Sequence, residues 1–330
     1  TVVPRITKPA MIADVVRYAG DIAAMVVAET RQQAMDAIEL IEADYESMPA
    51  VCDVYAALED GAPQLYDCYP NNVVFDWACG DLDNARIKIA AAKAEGHKIV
   101  KIDVINSRLL ASALETRPVV AKPDNEKLTL WLPSQGPAPL ARQIAEALNM
   151  NDGDLRVLTG HVGGGFGYKI FLHPEQLCVA WAARKIGKVV RWQQERSEAF
   201  LSDVHGRDNR TKAWAAVDET GKILAMEVSV HANMGAWLSN FGIYVPTFSA
   251  MRTLTGPYDI QTVGMRVRGI VTNTPAVDAF RGAGRPETNY CLERLIDHIA
   301  AELSIDRFEL RRRNLIKPEQ IPYCMVEGGT

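Results

Sequence analysis

The chain has 330 residues, of which 48% are hydrophobic and 23% charged, with a formal net charge of -5 at pH 7. That length suffices for one large or two smaller domains with a proper core, and the composition is that of a globular protein, which argues against disorder. No stretch approaches the roughly 18 apolar residues of a membrane span, and the charges are interspersed rather than gathered into basic stripes, so no nucleic-acid partner is expected.

The first 65 residues read as a small α/β unit. Residues 23–28 are an apolar run of strand length, and Thr30 can cap a helix reaching Ile41, with Ala34, Ile38 and Ile41 on one face. One strand and one helix cannot enclose a core, so this unit is expected to pack against something else or against sequence upstream. No basic-then-apolar leader follows Thr1, so no signal peptide is visible. A Pro, Gly and Asn-rich connection runs from Gly61 to Asn72. Beyond it, strands are predicted over 98–104, 127–132, 155–159, 189–192 and 223–232, and helices over 138–148, 174–185 and 286–303. The last helix has Pro286 in its first turn and a stripe of Leu292, Leu295, Ile296, Ile299 and Leu303. Arg311, Arg312 and Arg313 read as a solvated helix end. Strands and helices mix without a regular βαβ beat, so the fold class is α+β.

Six cysteines (Cys52, Cys68, Cys79, Cys178, Cys291, Cys324) include no Cys-x-x-Cys pair, so the chain carries no recognisable iron–sulfur or structural zinc site. They fit mostly buried thiols in a reduced, cytoplasmic setting. His161 and His173 lack a second ligand at metal spacing, and ordinary loop and helix-start roles are expected for them.

The sharpest local feature is Gly163-Gly164-Gly165-Phe166-Gly167, between a strand ending at Thr159 and a helix opening at His173-Pro174. Such glycine density lets backbone approach a ligand and expose amides to anions or oxo groups, though a tight connection explains the loop alone equally well. A Walker loop fails because Tyr168 separates Gly167 from Lys169. The dinucleotide fingerprint fails because Tyr168 takes its sixth position. A phenylalanine inside the run suits presentation of an aromatic to a flat substrate. A second segment, Ala279-Phe280-Arg281-Gly282-Ala283-Gly284-Arg285-Pro286-Glu287, sets one arginine among small residues before a helix. Arg281 is either an anion clamp or a structural arginine pinning carbonyls.

The Gly-Gly-Gly-Phe-Gly loop resembles the loop beside the metal in the molybdenum hydroxylase large subunits of the xanthine dehydrogenase and aldehyde oxidase family. Pro133-Ser134-Gln135 is similar to that family's Ser-Gln or Thr-Gln motif, and 279–282 to its Ala-Phe-Arg-Gly segment. Weaker likenesses lie at Ala113–Arg117 and Leu310–Leu315. The resemblance implies a partial hammerhead domain over 1–65 and the first portion of a molybdopterin-binding domain over 66–330. It implies catalytic roles for Gln135, Phe166 and Arg281, and cofactor contacts from Gln135, Gly164, Gly165, Phe166, Gly167, Ala279, Phe280, Arg281 and Gly282, with no residue ligating molybdenum directly. The implied cofactor is molybdenum-molybdopterin, expected as the cytosine dinucleotide, with iron–sulfur clusters and FAD on partner chains.

The family's reaction inserts water-derived oxygen into an electron-poor carbon, assisted by a glutamate base in a Gly-x-Gly-Glu-type motif that this sequence lacks. The expected partners are therefore the remaining half of the molybdenum subunit, an iron–sulfur subunit and an FAD subunit. Gly282 stands where copper-dependent carbon monoxide dehydrogenases carry cysteine. Ile170, and Ser249 by gapless counting, stand where purine oxidisers carry glutamate and arginine, so an aldehyde or N-heteroaromatic substrate is expected. The alternative is a non-catalytic binding or assembly module of the same fold.

Overall fold

The computed structural model describes residues 6–151 and 153–325. Its helices are α1 (Arg31–Glu39), α2 (Leu82–Ala94), α3 (Pro137–Ala147), α4 (Pro174–Ile186), α5 (Arg196–Ser202), α6 (Arg285–Leu303) and α7 (Arg307–Asn314). Its strands are β1 (Val73–Gly80), β2 (Lys98–Asn106), β3 (Val119–Asp124), β4 (Lys127–Trp131), β5 (Leu155–Leu158), β6 (Val190–Trp192), β7 (Asn209–Val217), β8 (Ile223–Gly235) and β9 (Val263–Val271).

The larger sheet has the order β1-β9-β8-β7-β2, parallel only between β8 and β9. Alternation along its strands directs Val100, Ile102, Ala213, Met226, Val228 and Met265 onto one face, where they pack with Leu292, Leu295, Ile296 and Ile299 of α6. The opposite face receives α2. A Cβ on Gly264 would lie 2.3 Å from Leu82 Cα, and Arg86 pairs with Glu227 across that side at 2.8 Å. α2 buries only Ala85 and Ala92, so it presents no broad apolar stripe to a sequence reading.

The smaller sheet, β5-β4-β3-β6, is parallel only between β4 and β5 and is covered by α3 and α4. Leu128, Leu130, Leu140, Ile144, Val179 and Ala180 close its core.

The run 23–28, expected as a strand, is not one: it pairs in no ladder with a described strand. α1 starts where expected, with Thr30 Oγ1 accepting from Gln33 N and Gln33 Oε1 accepting from Thr30 N. None of its residues is buried, and Ile38 and Ile41 are 49% and 44% exposed. None of the six cysteines is in a disulfide, but Cys52, Cys68 and Cys324 are exposed rather than buried, because they lie on irregular surface segments.

The chain passes between the two sheets twice, before β3 and before β7, and both crossings are tied to Arg117. This guanidinium, 1% exposed, forks onto Glu175 of α4 through two bonds of 3.0 Å and reaches Asp203 at 2.7 Å, while its backbone N donates to Gln194 Oε1. Burial works to raise the Glu175 carboxyl, but the guanidinium outweighs it and holds the group at about 2. Arg117→Met should lower stability at pH 7 by about 3–5 kcal/mol, since two buried carboxylates lose their partner, as read by urea denaturation. The native pair stabilises fully above the ordinary carboxylate value of 4.5 and fades as pH falls toward about 2, a dependence the variant should lack.

Candidate functional site

The glycine loop leaves β5 and returns toward α4 through contacts that leave no room for side chains. A Cβ on Gly163 would lie 2.5 Å from Glu115 Cβ, one on Gly165 would lie 2.5 Å from Gln135 Oε1, and one on Gly167 would lie 2.5 Å from Ala279 O. Gly167 also has a φ of +110°. Glu115 fastens the near end: its carboxylate accepts from Gly163 N and from Lys169 Nζ, both at 2.8 Å, and Lys169, buried, bonds Glu115 O as well. Burial works to raise the Glu115 carboxyl, but these donors hold it below its usual range.

Phe166 sits at the crest with a φ of +49°, unusual for an aromatic residue, and is 40% exposed. Its ring lies over Gly164, where a Cβ would meet Phe166 Cε2 at 2.9 Å. Its carbonyl accepts from Arg281 N at 2.9 Å, which joins the second segment to the loop. Gln135 joins the third: its N donates to Lys169 O at 3.0 Å and its Oε1 accepts from Gly167 N at 2.9 Å. Gln135, Phe166 and Arg281, far apart in sequence, thus meet at one place.

The front of this junction carries donors. Among the described residues, Gln135 Nε2, the Arg281 guanidinium and the N–H groups of Gly164, Gly165, Phe166 and Gly282 have no hydrogen-bond partner. Gln135, Phe166, Arg281 and Gly282 are exposed. No group of three or more His, Cys, Asp or Glu among the described residues could hold a metal ion. Such a donor set suits a bound group that presents oxygen atoms and brings its own metal ligands.

Arg281 does not pin carbonyls. Arg207 does so, donating to Phe280 O at 3.3 Å and Arg281 O at 2.8 Å, with Glu287 as its ion-pair partner at 3.0 Å. The sequence reading missed Arg207, Glu287 and Asp278. Asp278 is raised to about 6 by burial and accepts from Phe241 N and Ala279 N. Only its place beside the Ala-Phe-Arg-Gly segment could have flagged it. Ser249 is 1% exposed and donates to Ala283 O at 2.5 Å, so it braces the Arg281 loop from behind. His173 is buried, bonded to Tyr168 O at 2.8 Å and lowered to about 3 by burial, and His161 is exposed. Neither is placed as a ligand.

Comparison with known proteins places this geometry in context. The sequence model of a family described as "Molybdopterin cofactor-binding domain" matches residues 65–315. The chain is 31% identical over 319 residues to the 6-hydroxypseudooxynicotine dehydrogenase complex subunit gamma of Paenarthrobacter nicotinovorans, across 96% of this chain and 39% of that one. It is 32% identical over 322 residues to the carbon monoxide dehydrogenase large chain of Afipia carboxidovorans, across 92% and 39%. The crystal structure of quinoline 2-oxidoreductase from Pseudomonas putida 86 superposes with a TM-score of 0.90 at 31% identity, over 98% of this chain and 41% of that one. The chain therefore spans about two fifths of the length of these relatives.

Gly167→Ala should destabilise by about 1–3 kcal/mol through backbone strain and should displace the 279–282 segment. Gly96→Ala shares a positive φ but has nothing within 4 Å, so it is the control for strain without collision. Urea denaturation, with hydrogen exchange of 279–284, reads both; equal exchange in the two variants would contradict close packing of the loops.

Proposed function

The chain belongs to the molybdopterin cofactor-binding domain family, and we propose that it is the part of a multi-subunit molybdenum hydroxylase that cradles the pterin-bound metal. The observation that carries this reading is the set of donors without a partner among the described residues: Gln135 Nε2, the amides of 164–166 and Gly282, and the Arg281 guanidinium. When bound, the cofactor supplies oxygen transfer from water to carbon with removal of two electrons. Gln135 Nε2 and the loop amides of 164–166 would donate to its oxygen atoms, Phe166 would offer a ring face to a flat substrate, and Arg281 with the Gly282 N–H would hold anionic oxygen.

Carboxylates close to this junction in the chain are engaged elsewhere. Glu115 serves Lys169 and Gly163, Glu287 serves Arg207, and Asp278 is buried under backbone donors. A proton acceptor for the substrate therefore comes from another segment or chain. The substrate is an aldehyde or N-heteroaromatic. A cysteine in place of Gly282 would have to adopt a φ of +98° with its Cβ 2.3 Å from Pro286 Cγ, which disfavours copper-type carbon monoxide chemistry in this loop conformation. Ile170 and the buried Ser249 supply no charged group for a purine.

In this reading residues 1–65 are the rear of a hammerhead-like domain and 66–330 the first portion of the cofactor domain. The cofactor is the cytosine dinucleotide form, iron–sulfur and FAD groups reside on partner chains, the rest of the molybdenum subunit completes the site, and the complex is cytoplasmic.

The test is elemental analysis of the protein purified with its partners, which should contain molybdenum; its absence would sink the proposal. In that complex Gln135→Ala and Arg281→Ala should each lower turnover about 100-fold, the scale of losing one aimed donor, with assembly intact by size-exclusion chromatography. Wild-type rates in both would remove these residues from the site.

A further inference from the structure

We propose that Arg207 is a positioning residue that sets the peptide planes of the Arg281 loop and thereby aims the Gly282 N–H at the bound group; this rests on the reading of the site given above.

The first observation is strain. Arg207 and the following Asp208 both adopt left-handed backbone, with φ of +68° and +59°, although neither is glycine. Consecutive residues in that region cost about 1–3 kcal/mol each and persist only where the surroundings fix them. Here Asp208 is fixed from below: its carboxylate accepts from Arg108 Nε at 2.8 Å and Asn233 Nδ2 at 2.9 Å, and its carbonyl accepts from Asn233 N at 3.1 Å.

The second observation is what the strained turn achieves. The Arg207 side chain, 12% exposed, sends Nη1 to Phe280 O and Nη2 to Arg281 O, while Glu287 in the first turn of α6 takes Nη1 at 3.0 Å. Its guanidinium also lies 5.1 Å from the Phe280 ring centre. Gly206 leaves space for that ring, since a Cβ there would come within 2.3 Å of Phe280 Cβ.

A planar trans peptide carries its C=O and N–H in opposite directions. The peptide between Phe280 and Arg281 is held from both sides, its N–H on Phe166 O and its C=O on Arg207. The next peptide has its C=O on Arg207, so its N–H, that of Gly282, points away from Arg207. That N–H has no acceptor among the described residues. One guanidinium fork thus fixes two successive peptide planes, which the single ammonium of lysine cannot do with the same geometry.

The experiment uses the complete complex with Arg207→Lys, Arg207→Met and Glu287→Gln, measuring molybdenum content, kcat and KM, and hydrogen exchange of 279–284. The expected result is that Arg207→Lys assembles and retains molybdenum, loses at least tenfold in kcat with KM unchanged, and exchanges faster at 279–284; Arg207→Met loses more, and Glu287→Gln falls between Arg207→Lys and wild type. Unchanged kcat and exchange in both Arg207 variants, or a loss of kcat that only follows loss of assembly, would overturn the proposal. If the wild-type complex holds no molybdenum, the reading of the site fails, while the exchange comparison still decides whether Arg207 sets the loop.

Discussion

Three loops can meet at backbone distance only where side chains are missing, and the whole site depends on the absent Cβ atoms of Gly163, Gly165 and Gly167. Each faces a different neighbour: Glu115, Gln135 and Ala279. Because the contacts are this close, the backbone itself closes the junction, through Gly167 N on Gln135 and Arg281 N on Phe166 O. What remains outside is a set of N–H groups and two side-chain donors with no partner among the described residues.

Charge is sorted accordingly. Lys169 and Arg207 lie behind the loops, each paired with a carboxylate and each spending its remaining donors on backbone carbonyls. Arg117, at the crossing between the sheets, instead gives its guanidinium to the Glu175 and Asp203 carboxylates and to Ser202 Oγ. Of these site cations, Arg281 is the one whose guanidinium has no hydrogen-bond or ion-pair partner among the described residues. The described part of the site is therefore rich in donors and poor in bases, and under the function proposed above it would bind and orient while proton removal falls to another segment.

Much of the architecture is legible in the sequence because its signals are local. The helix predicted over 286–303 begins one residue earlier, at Arg285, and its Leu and Ile stripe is the core stripe. The strands at 98, 127, 155 and 223 start as predicted, with apolar residues recurring along each. β1, β7 and β9 escape notice because Asp76, Lys212, Arg266 and Arg268 interrupt them; these charges sit on the sheet face opposite α6, in ion pairs and hydrogen bonds. The run 23–28 misleads in the other direction, since apolar composition cannot supply the neighbouring strand that a ladder requires. At the site, motif and spacing bring together Gln135, Phe166 and Arg281. Arg207 carries no local signature: its role follows from a left-handed backbone and a long-range fork that only the folded chain displays.

The most direct measurement is anomalous X-ray diffraction at the molybdenum edge from crystals of the assembled complex. The strongest metal peak is expected beside the junction of Gln135, Phe166 and Arg281, with Gln135 Nε2 turned toward it. A peak remote from these three residues, with Gln135 Nε2 and Gly282 N–H bonded to ordinary protein groups, would contradict it.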